Sequence, residues 1–233
     1  MKNKFYTALE KNFVTYSNLL SIDVIDNKEP LVPLTKTSIL FGYKPAMSDM
    51  KKFGKNILVR RKVAEMLEQA QNLLKRNNKG ISLFVTYGYR NLSVQKKNFK
   101  EIFSKIALND FYPNPIDLYE KVHQNIAVPT VAGHPTGGAV DIIIVNSNTK
   151  KVIDFGSEQY DFLSKKSFAF SPEISKKSIN NRMLLRKIMM QVGFAPYDAE
   201  WWHFSYGDRE WAFYCKKPYA LYDQITKEKI QKL

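Results

Sequence analysis

The sequence predicts an α+β fold, an antiparallel sheet flanked by helices. Three observations carry this. Val63, Met66, Leu67, Ala70, Leu73 and Leu74 recur at helical spacing between 58 and 75 and make one apolar stripe. Directly behind them, Ile81, Leu83, Val85 and Tyr87 alternate with Ser82, Phe84 and Thr86, the period-two signature of a strand. Further helical and hairpin patterns then follow without βαβ regularity, which favours antiparallel over parallel pairing.

Residues 1–56 carry the weakest pattern. Phe13–Tyr16 and Ile22–Ile25 read as short strands, and Asn27–Pro33 as a loop. Ser38–Tyr43 reads as another strand, and Lys44–Gly54 as a lysine-rich loop. The helix over 58–75 ends at Asn77-Asn78-Lys79-Gly80, and the strand behind it runs into Gly88-Tyr89-Arg90. A second helix starts near Ser93, with Val94, Phe99, Ile102, Phe103 and Ile106 facing inward. Residues 107–133 hold Pro113, Pro115 and Pro129 and read as one long connection. Ala139–Val145 is an apolar strand that turns at Asn146-Ser147-Asn148 and pairs with Lys151–Ile153 as a hairpin. Ser178 is the expected cap of a third helix, with Ile179, Leu184, Leu185, Ile188, Met189 and Val192 as its core face and Gly193 as its end. Glu200–Phe204 and Glu210–Cys215 read as aromatic strands. No repeat or low-complexity segment interrupts the chain, so 1–233 is expected to be a single domain.

Composition narrows the function. With 36 basic against 22 acidic residues the formal net charge is +14, which raises nucleic acid and anionic membrane as partners. The lysines are scattered in pairs such as Lys96-Lys97 and Lys176-Lys177, the pattern of a solvated surface, so nucleic acid is not expected. A single cysteine, Cys215, excludes an intramolecular disulfide. The first residues, Met1–Tyr16, lack the apolar core of a signal peptide. The longest aliphatic run, Ile142–Val145, is far too short to span a membrane. The expectation is a cytoplasmic protein that does not engage membrane.

Chemistry concentrates in two stretches. Glu200-Trp201-Trp202-His203-Phe204 places a carboxylate three residues before a histidine. His134-Pro135-Thr136-Gly137-Gly138-Ala139-Val140-Asp141 places a histidine and an aspartate around a Gly-Gly turn, which lets both sides of the bend converge. His134, Asp141 and His203 make the kind of set that holds one catalytic zinc with a position left for water. Asp141 opens a hydrophobic strand, where a carboxylate is costly unless it is paired or metal-bound. Glu200 is the candidate general base. In a regular strand Glu200 and His203 would face opposite sides, so the segment has to bulge if both serve one ion. Arg90, at a strand end, is a candidate oxyanion or carboxylate partner. Taken singly, each signal fits a packed histidine or a surface salt bridge as well as a site, and the three tryptophans read as core.

In combination, these residues resemble a known family. The segment Gly133–Asp141 with Glu200–Phe204 is similar to the Ser-x-His-x-x-Gly-x-Ala-x-Asp and Glu-x-x-His patterns of the zinc D-alanyl-D-alanine dipeptidases of the vancomycin-resistance type. Tyr87-Gly88-Tyr89-Arg90 with Ser93-Val94-Gln95, Asp154-Phe155-Gly156-Ser157, and Asn181–Leu185 with Gly193-Phe194 extend the resemblance in order, from about 58 to about 222. The resemblance implies one zinc per chain on His134, Asp141 and His203, and Glu200 as general base and acid. It implies Arg90 at the scissile carbonyl, Asp154 at the substrate ammonium, and a small dipeptide as substrate. The chain departs from the family at Ala132, where the pattern has serine, and at Asn91, where it has proline. The nearest rival reading is a D,D- or L,D-carboxypeptidase acting on peptidoglycan stem peptides. A second rival is a non-enzymatic basic binding protein with a structural metal.

Overall fold

In the computed structural model, which describes residues 10, 13–42, 56–161 and 164–225, the apolar strand patterns assemble into sheets. The strands are β1 (Leu31–Pro33), β2 (Leu40–Phe41), β3 (Leu58–Arg60), β4 (Ile81–Tyr87), β5 (Ala139–Asn146), β6 (Ala195–Tyr197) and β7 (Glu200–Ser205). Among the described residues, five form one sheet in the order β2-β4-β5-β7-β6, and β1 pairs with β3 apart from it. β5 is buried from Ala139 to Val145, which explains its unbroken apolar run: both of its faces are covered. The sheet is antiparallel except at its edge, where β2 runs parallel to β4. That pair needs a crossover, and the helix Arg61–Asn77 lies between the two strands in the chain.

The helices are α1 (Tyr16–Leu20), α2 (Arg61–Asn77), α3 (Leu92–Asn109), α4 (Pro115–His123), α5 (Lys176–Gln191) and α6 (Arg209–Tyr214). The stripe on α2 is buried as predicted, although Leu58–Arg60 pairs as a strand instead of opening the helix. α2 and α5 pack on each other and, with the sheet, enclose the main core around Leu67, Leu74, Val85, Ile142, Leu185 and Trp202. The predicted inward face of α3 is only partly covered, and Gln95 is its buried residue. Gly193, at φ 102°, ends the α5 segment as expected.

Six further expectations are corrected, four of them by capping chemistry that overrode β-propensity, composition or the choice of cap. Phe13–Tyr16 is not a strand: the Thr15 side chain accepts from the Asn18 amide at 3.1 Å and starts α1. Glu210–Cys215 lies largely within α6 because Asp208 accepts from the Trp211 amide at 2.8 Å. In the stretch read as one long connection, Asn114 caps α4 and Pro115 occupies its first turn. The cap of α5 is Ser175, which accepts from the Ser178 amide at 3.0 Å. Ile22–Ile25 contributes only the bridge Val24–Ala220. The hairpin at Lys151–Ile153 is a single bridge, Val145–Val152. The loop read at Lys44–Gly54 lies outside the described residues. Among the described residues, no helix is long and apolar enough to cross a membrane.

Arg182, only 1% exposed, is the main polar tie in this core. Its guanidinium donates to the carbonyls of Phe155 and Phe168, each at 2.7 Å, and to Ser157 Oγ at 3.1 Å. It also lies 5.2 Å from the Trp201 ring centroid. One side chain thus binds the 154–168 segment to α5 and β7. Arg182→Met, which would strand these acceptors, is expected to lower unfolding free energy by about 3 kcal/mol, measured by urea titration.

Candidate metal centre and active site

The site is assembled from the ends of β4, β5 and β7 and the turn before β5. That turn is a short 3-10 segment, His134–Thr136, closed by Gly137 at φ 77°. A Cβ at Gly137 would meet the Leu31 side chain at 2.4 Å, and one at Gly138 would meet the Tyr206 carbonyl at 2.3 Å. The Gly-Gly pair is therefore required for both conformation and close packing. Arg60, buried, holds the same turn by donating to the Thr136 carbonyl at 2.7 Å.

His134 leads out of this turn with its ring orientation set. Its Nδ1 lies 2.8 Å from the Gly88 carbonyl, so Nδ1 carries the proton and Nε2 offers the lone pair. Asp141 and His203 are cross-strand partners on β5 and β7. Asp141 Oδ1 lies 3.4 Å from His134 Nε2 and 3.1 Å from His203 Nδ1. Tyr160 donates to the other oxygen, Oδ2, at 3.0 Å. His203 Nε2 points away, 3.7 Å from Glu210 Oε1.

The three donors suit a small tetrahedral cation. Among the described residues this is the cluster able to hold a metal, with one ligand atom from each residue and all within 4.8 Å of one another. Ligands about 2.0–2.1 Å from a tetrahedral zinc would stand about 3.3 Å apart, which the two contacts of Asp141 approach. The two imidazole rings are near perpendicular, at 84° and 4.9 Å between centroids. All three residues are buried.

Electrostatics agree with a site built to hold positive charge. Burial alone would raise the Asp141 carboxyl, yet His134 and His203 hold it well below the usual carboxylate range. Burial also opposes protonation of His203, but Glu210 and Asp141 outweigh it and bring the imidazole up to about 10. His134 goes the other way, because burial outweighs the pull of Asp141. A cation on these donors would replace the proton that His203 otherwise keeps.

Glu200 joins the cluster through an irregularity in β7. Pro196 pairs with Phe204 while the next residue, Tyr197, pairs with Glu200, so Trp201–His203 bulge out of the β6–β7 ladder, while His203 keeps its pairing with Asp141 on β5. The bulge removes the conflict of facing expected for Glu200 and His203. Burial pushes the Glu200 carboxyl up to about 7, and His203, Asp141 and Arg90 lie close enough to add to or oppose that shift. Arg90 follows β4; its amide donates to the His134 carbonyl at 3.1 Å. Its guanidinium donates to the Tyr87 hydroxyl at 2.9 Å and to Gln95 at 2.8 Å, and it lies 4.7 Å from the Tyr87 ring centroid. Gln95 is braced in turn by the Ala127 carbonyl at 2.7 Å.

Asp154 is not drawn into this cluster. It is exposed, its Oδ1 accepts from the Gly156 amide at 2.8 Å, and its carbonyl accepts from Asn181 at 2.8 Å. The charge it acts on is Arg182. It lines a cleft of about 470 Å³ with Ile143, Val152, Phe155, Glu158 and Trp201, and none of the metal-cluster residues is in that lining. The short hydrogen-bonded turn, Asp154 to Gly156, accounts for an aspartate there without a ligand. Two residues that do reach the cluster, Tyr160 and Glu210, went unread in the sequence. Tyr160 falls in a stretch without periodicity, and Glu210 was assigned to a strand instead of the first turn of α6. Asn91, where the resembled family has proline, caps α3 by accepting from the Ser93 amide at 2.9 Å. Cys215 is no nucleophile candidate, since burial pushes its thiol up.

A family model of D-Ala-D-Ala dipeptidases, peptidase family M15, matches residues 48–229. The D-alanyl-D-alanine dipeptidase of Synechocystis sp. is 28% identical over 234 residues, spanning 89% of this chain and 94% of that protein. The D-alanyl-D-alanine dipeptidase of Enterococcus faecium is 31% identical over 150 residues, 60% of this chain and 72% of its own length. Among solved structures, the LD-carboxypeptidase LdcB shares 19% identity at a TM-score of 0.47, over 94% of this chain and 88% of that chain, a likeness too distant to argue from. The family match, which takes in the whole cluster from Arg90 to Glu210, makes this chain a member of the M15 D-Ala-D-Ala dipeptidase family and hence a metallopeptidase.

Proposed function

We propose that the chain is a zinc-dependent dipeptidase that hydrolyses D-Ala-D-Ala or a closely related dipeptide. The observation that carries this reading is the convergence of Glu200 and Arg90 on the donor set His134, Asp141 and His203. A purely structural metal needs neither an acid-base carboxylate nor a guanidinium beside it. The substrate class is taken from the relatives, which are D-alanyl-D-alanine dipeptidases over most of their length.

His134, Asp141 and His203 would hold the zinc ion. When bound, it supplies Lewis acidity, which polarises the scissile carbonyl and acidifies a water molecule. Glu200 takes a proton from the attacking water at its carboxylate oxygen and returns it to the leaving amine nitrogen. Burial that raises this carboxyl suits both halves of that transfer, since the group must hold the proton between the two steps. Arg90, oriented by Tyr87 and Gln95, presents fixed positive charge to the oxygen that becomes anionic. Ala132 offers backbone groups where the resembled family has a serine hydroxyl, so the substrate's amino end has one fewer side-chain partner.

The first test is release of D-alanine from D-Ala-D-Ala by zinc-loaded protein. Glu200→Gln should keep zinc bound and lower kcat by roughly a hundred- to ten-thousand-fold. Near-normal turnover in the zinc-loaded variant would overturn the assignment of Glu200. Cleavage of longer stem peptides with no action on the free dipeptide would move the protein to the carboxypeptidase reading.

The pH profile gives a second check. Glu200 must be ionised to accept a proton, and burial raises it to about 7 before any cation is bound. A bound dication stabilises the carboxylate and moves the limb lower. kcat/KM should therefore fall as pH drops through a limb at or below about 7, and this limb should be missing in Glu200→Gln.

Asp154 stands outside the donor cluster, beside a separate cleft. Asp154→Asn is expected to change KM for D-Ala-D-Ala by no more than about two-fold. A rise of about tenfold or more would return it to the substrate's ammonium group.

A further inference from the structure

Each of the three donors has one atom turned toward its neighbours in the cluster and another turned outward. The outward atoms are not left to solvent. His134 Nδ1 is held by the Gly88 carbonyl at 2.8 Å. Asp141 Oδ2 accepts from the Tyr160 hydroxyl at 3.0 Å. His203 Nε2 faces Glu210 Oε1 at 3.7 Å, and among the described residues that buried oxygen receives no hydrogen bond.

We infer that Tyr160 and Glu210 are positioning residues of the metal centre: Tyr160 restricts Asp141 to one metal-facing oxygen, and Glu210 fixes the His203 ring with Nδ1 facing the metal. The inference rests on the metallopeptidase reading of the cluster and adds to it which atom of each ligand binds.

The geometry separates the two roles. With Oδ2 engaged by a phenol, Oδ1 is the oxygen left to a cation, and Oδ1 is the atom that both histidines approach. Two-oxygen binding by Asp141 would require breaking a buried hydrogen bond. His203 has the same choice between ring nitrogens. An acceptor beside Nε2 favours the tautomer with its proton there and leaves the Nδ1 lone pair for the metal. Glu210 can occupy this place because α6 begins immediately before it. Asp208 caps that helix through the Trp211 amide at 2.8 Å, which sets the first turn, carrying Glu210, behind β7.

Tyr160 is also held in place. Its ring lies 5.5 Å from Trp202, edge-on at 62°, and its backbone adopts φ 67°, rarely used by side chains this large. Its hydroxyl lies 3.3 Å from Thr86 Oγ1, which is itself 3.2 Å from the Asp141 carbonyl. The phenol is therefore fixed from several sides before it meets Asp141.

The test measures metal binding, not turnover. Zinc affinity of the full chain is determined by competition with a chromophoric chelator for wild type, Tyr160→Phe, Glu210→Gln and Glu210→Met. Cobalt(II) absorption is recorded on the same proteins. Tyr160→Phe and Glu210→Met should each weaken zinc binding by about 10- to 100-fold and change the cobalt ligand-field bands. Glu210→Gln keeps an acceptor oxygen and should lose less than Glu210→Met. Thermal unfolding of the metal-free proteins separates these effects from a general loss of structure. Zinc affinity within about two-fold of wild type in Tyr160→Phe, with an unchanged cobalt spectrum, would overturn the role of Tyr160, and the same result in Glu210→Met, or in Glu210→Ala where Glu210→Met does not fold, would overturn that of Glu210. Wild type that binds no zinc would overturn it together with the metallopeptidase reading. Wild type that binds zinc but leaves D-Ala-D-Ala intact, alongside weakened variants, would sustain the inference and reject only the proposed substrate.

Discussion

A carboxylate buried at 1% exposure in the central strand of a sheet is the constraint on which the rest of this molecule depends. Asp141 cannot remain ionised there unless positive charge or donors surround it. His203 and Tyr160 supply them, His134 turns a lone pair to the same space for a cation, and each is delivered by a different part of the chain. The Gly-Gly turn brings His134, the antiparallel register of β5 and β7 brings His203, and the segment after the β5 hairpin brings Tyr160. The fold can be understood as the machinery that closes these parts around one oxygen pair.

Rigidity around the cluster comes from long polar side chains sunk into the core. Arg60 pins the turn that carries His134, and Arg182 pins the segment that leads to Tyr160. Both are buried guanidiniums that direct most of their donors at backbone carbonyls, so they fix loops that have no ladder of their own. Gln95 extends the same device to Arg90, passing the position of Ala127 to a residue of the site. A cluster held in this way keeps its donors at set separations, the preorganisation that the proposed chemistry would need.

The bulge in β7 is the other decisive feature. A regular strand would have put Glu200 and His203 on opposite faces. By letting Trp201–His203 slip their pairing with β6 while β5 still holds His203, the chain presents both to the same space and still buries two indoles in the core. Local irregularity here is the means by which one short motif brings a candidate metal donor and a buried carboxyl to one place.

The sequence by itself determined the helix stripe of α2, the strands β4 and β5, and the core face of α5, because periodicity reports which face is apolar. It also marked His134, Asp141, His203, Glu200 and Arg90, because in combination they resemble one family's pattern, with a carboxylate in an apolar strand as the physical hint. Tertiary structure decided the rest. Caps at Thr15, Asn114, Ser175 and Asp208 set helix starts that pattern alone misplaced, since one hydrogen bond at a terminus outweighs a weak strand preference. The parallel edge strand β2 depends on where α2 crosses the sheet, which no local pattern encodes. Asp154 was legible only through the resemblance, and the structure adds that its carboxylate closes a local turn and lines a cleft that none of the three donors lines. Tyr160 and Glu210 could be found only in three dimensions: each is ordinary where it stands in the chain, and matters because folding sets it against the unused atom of a ligand.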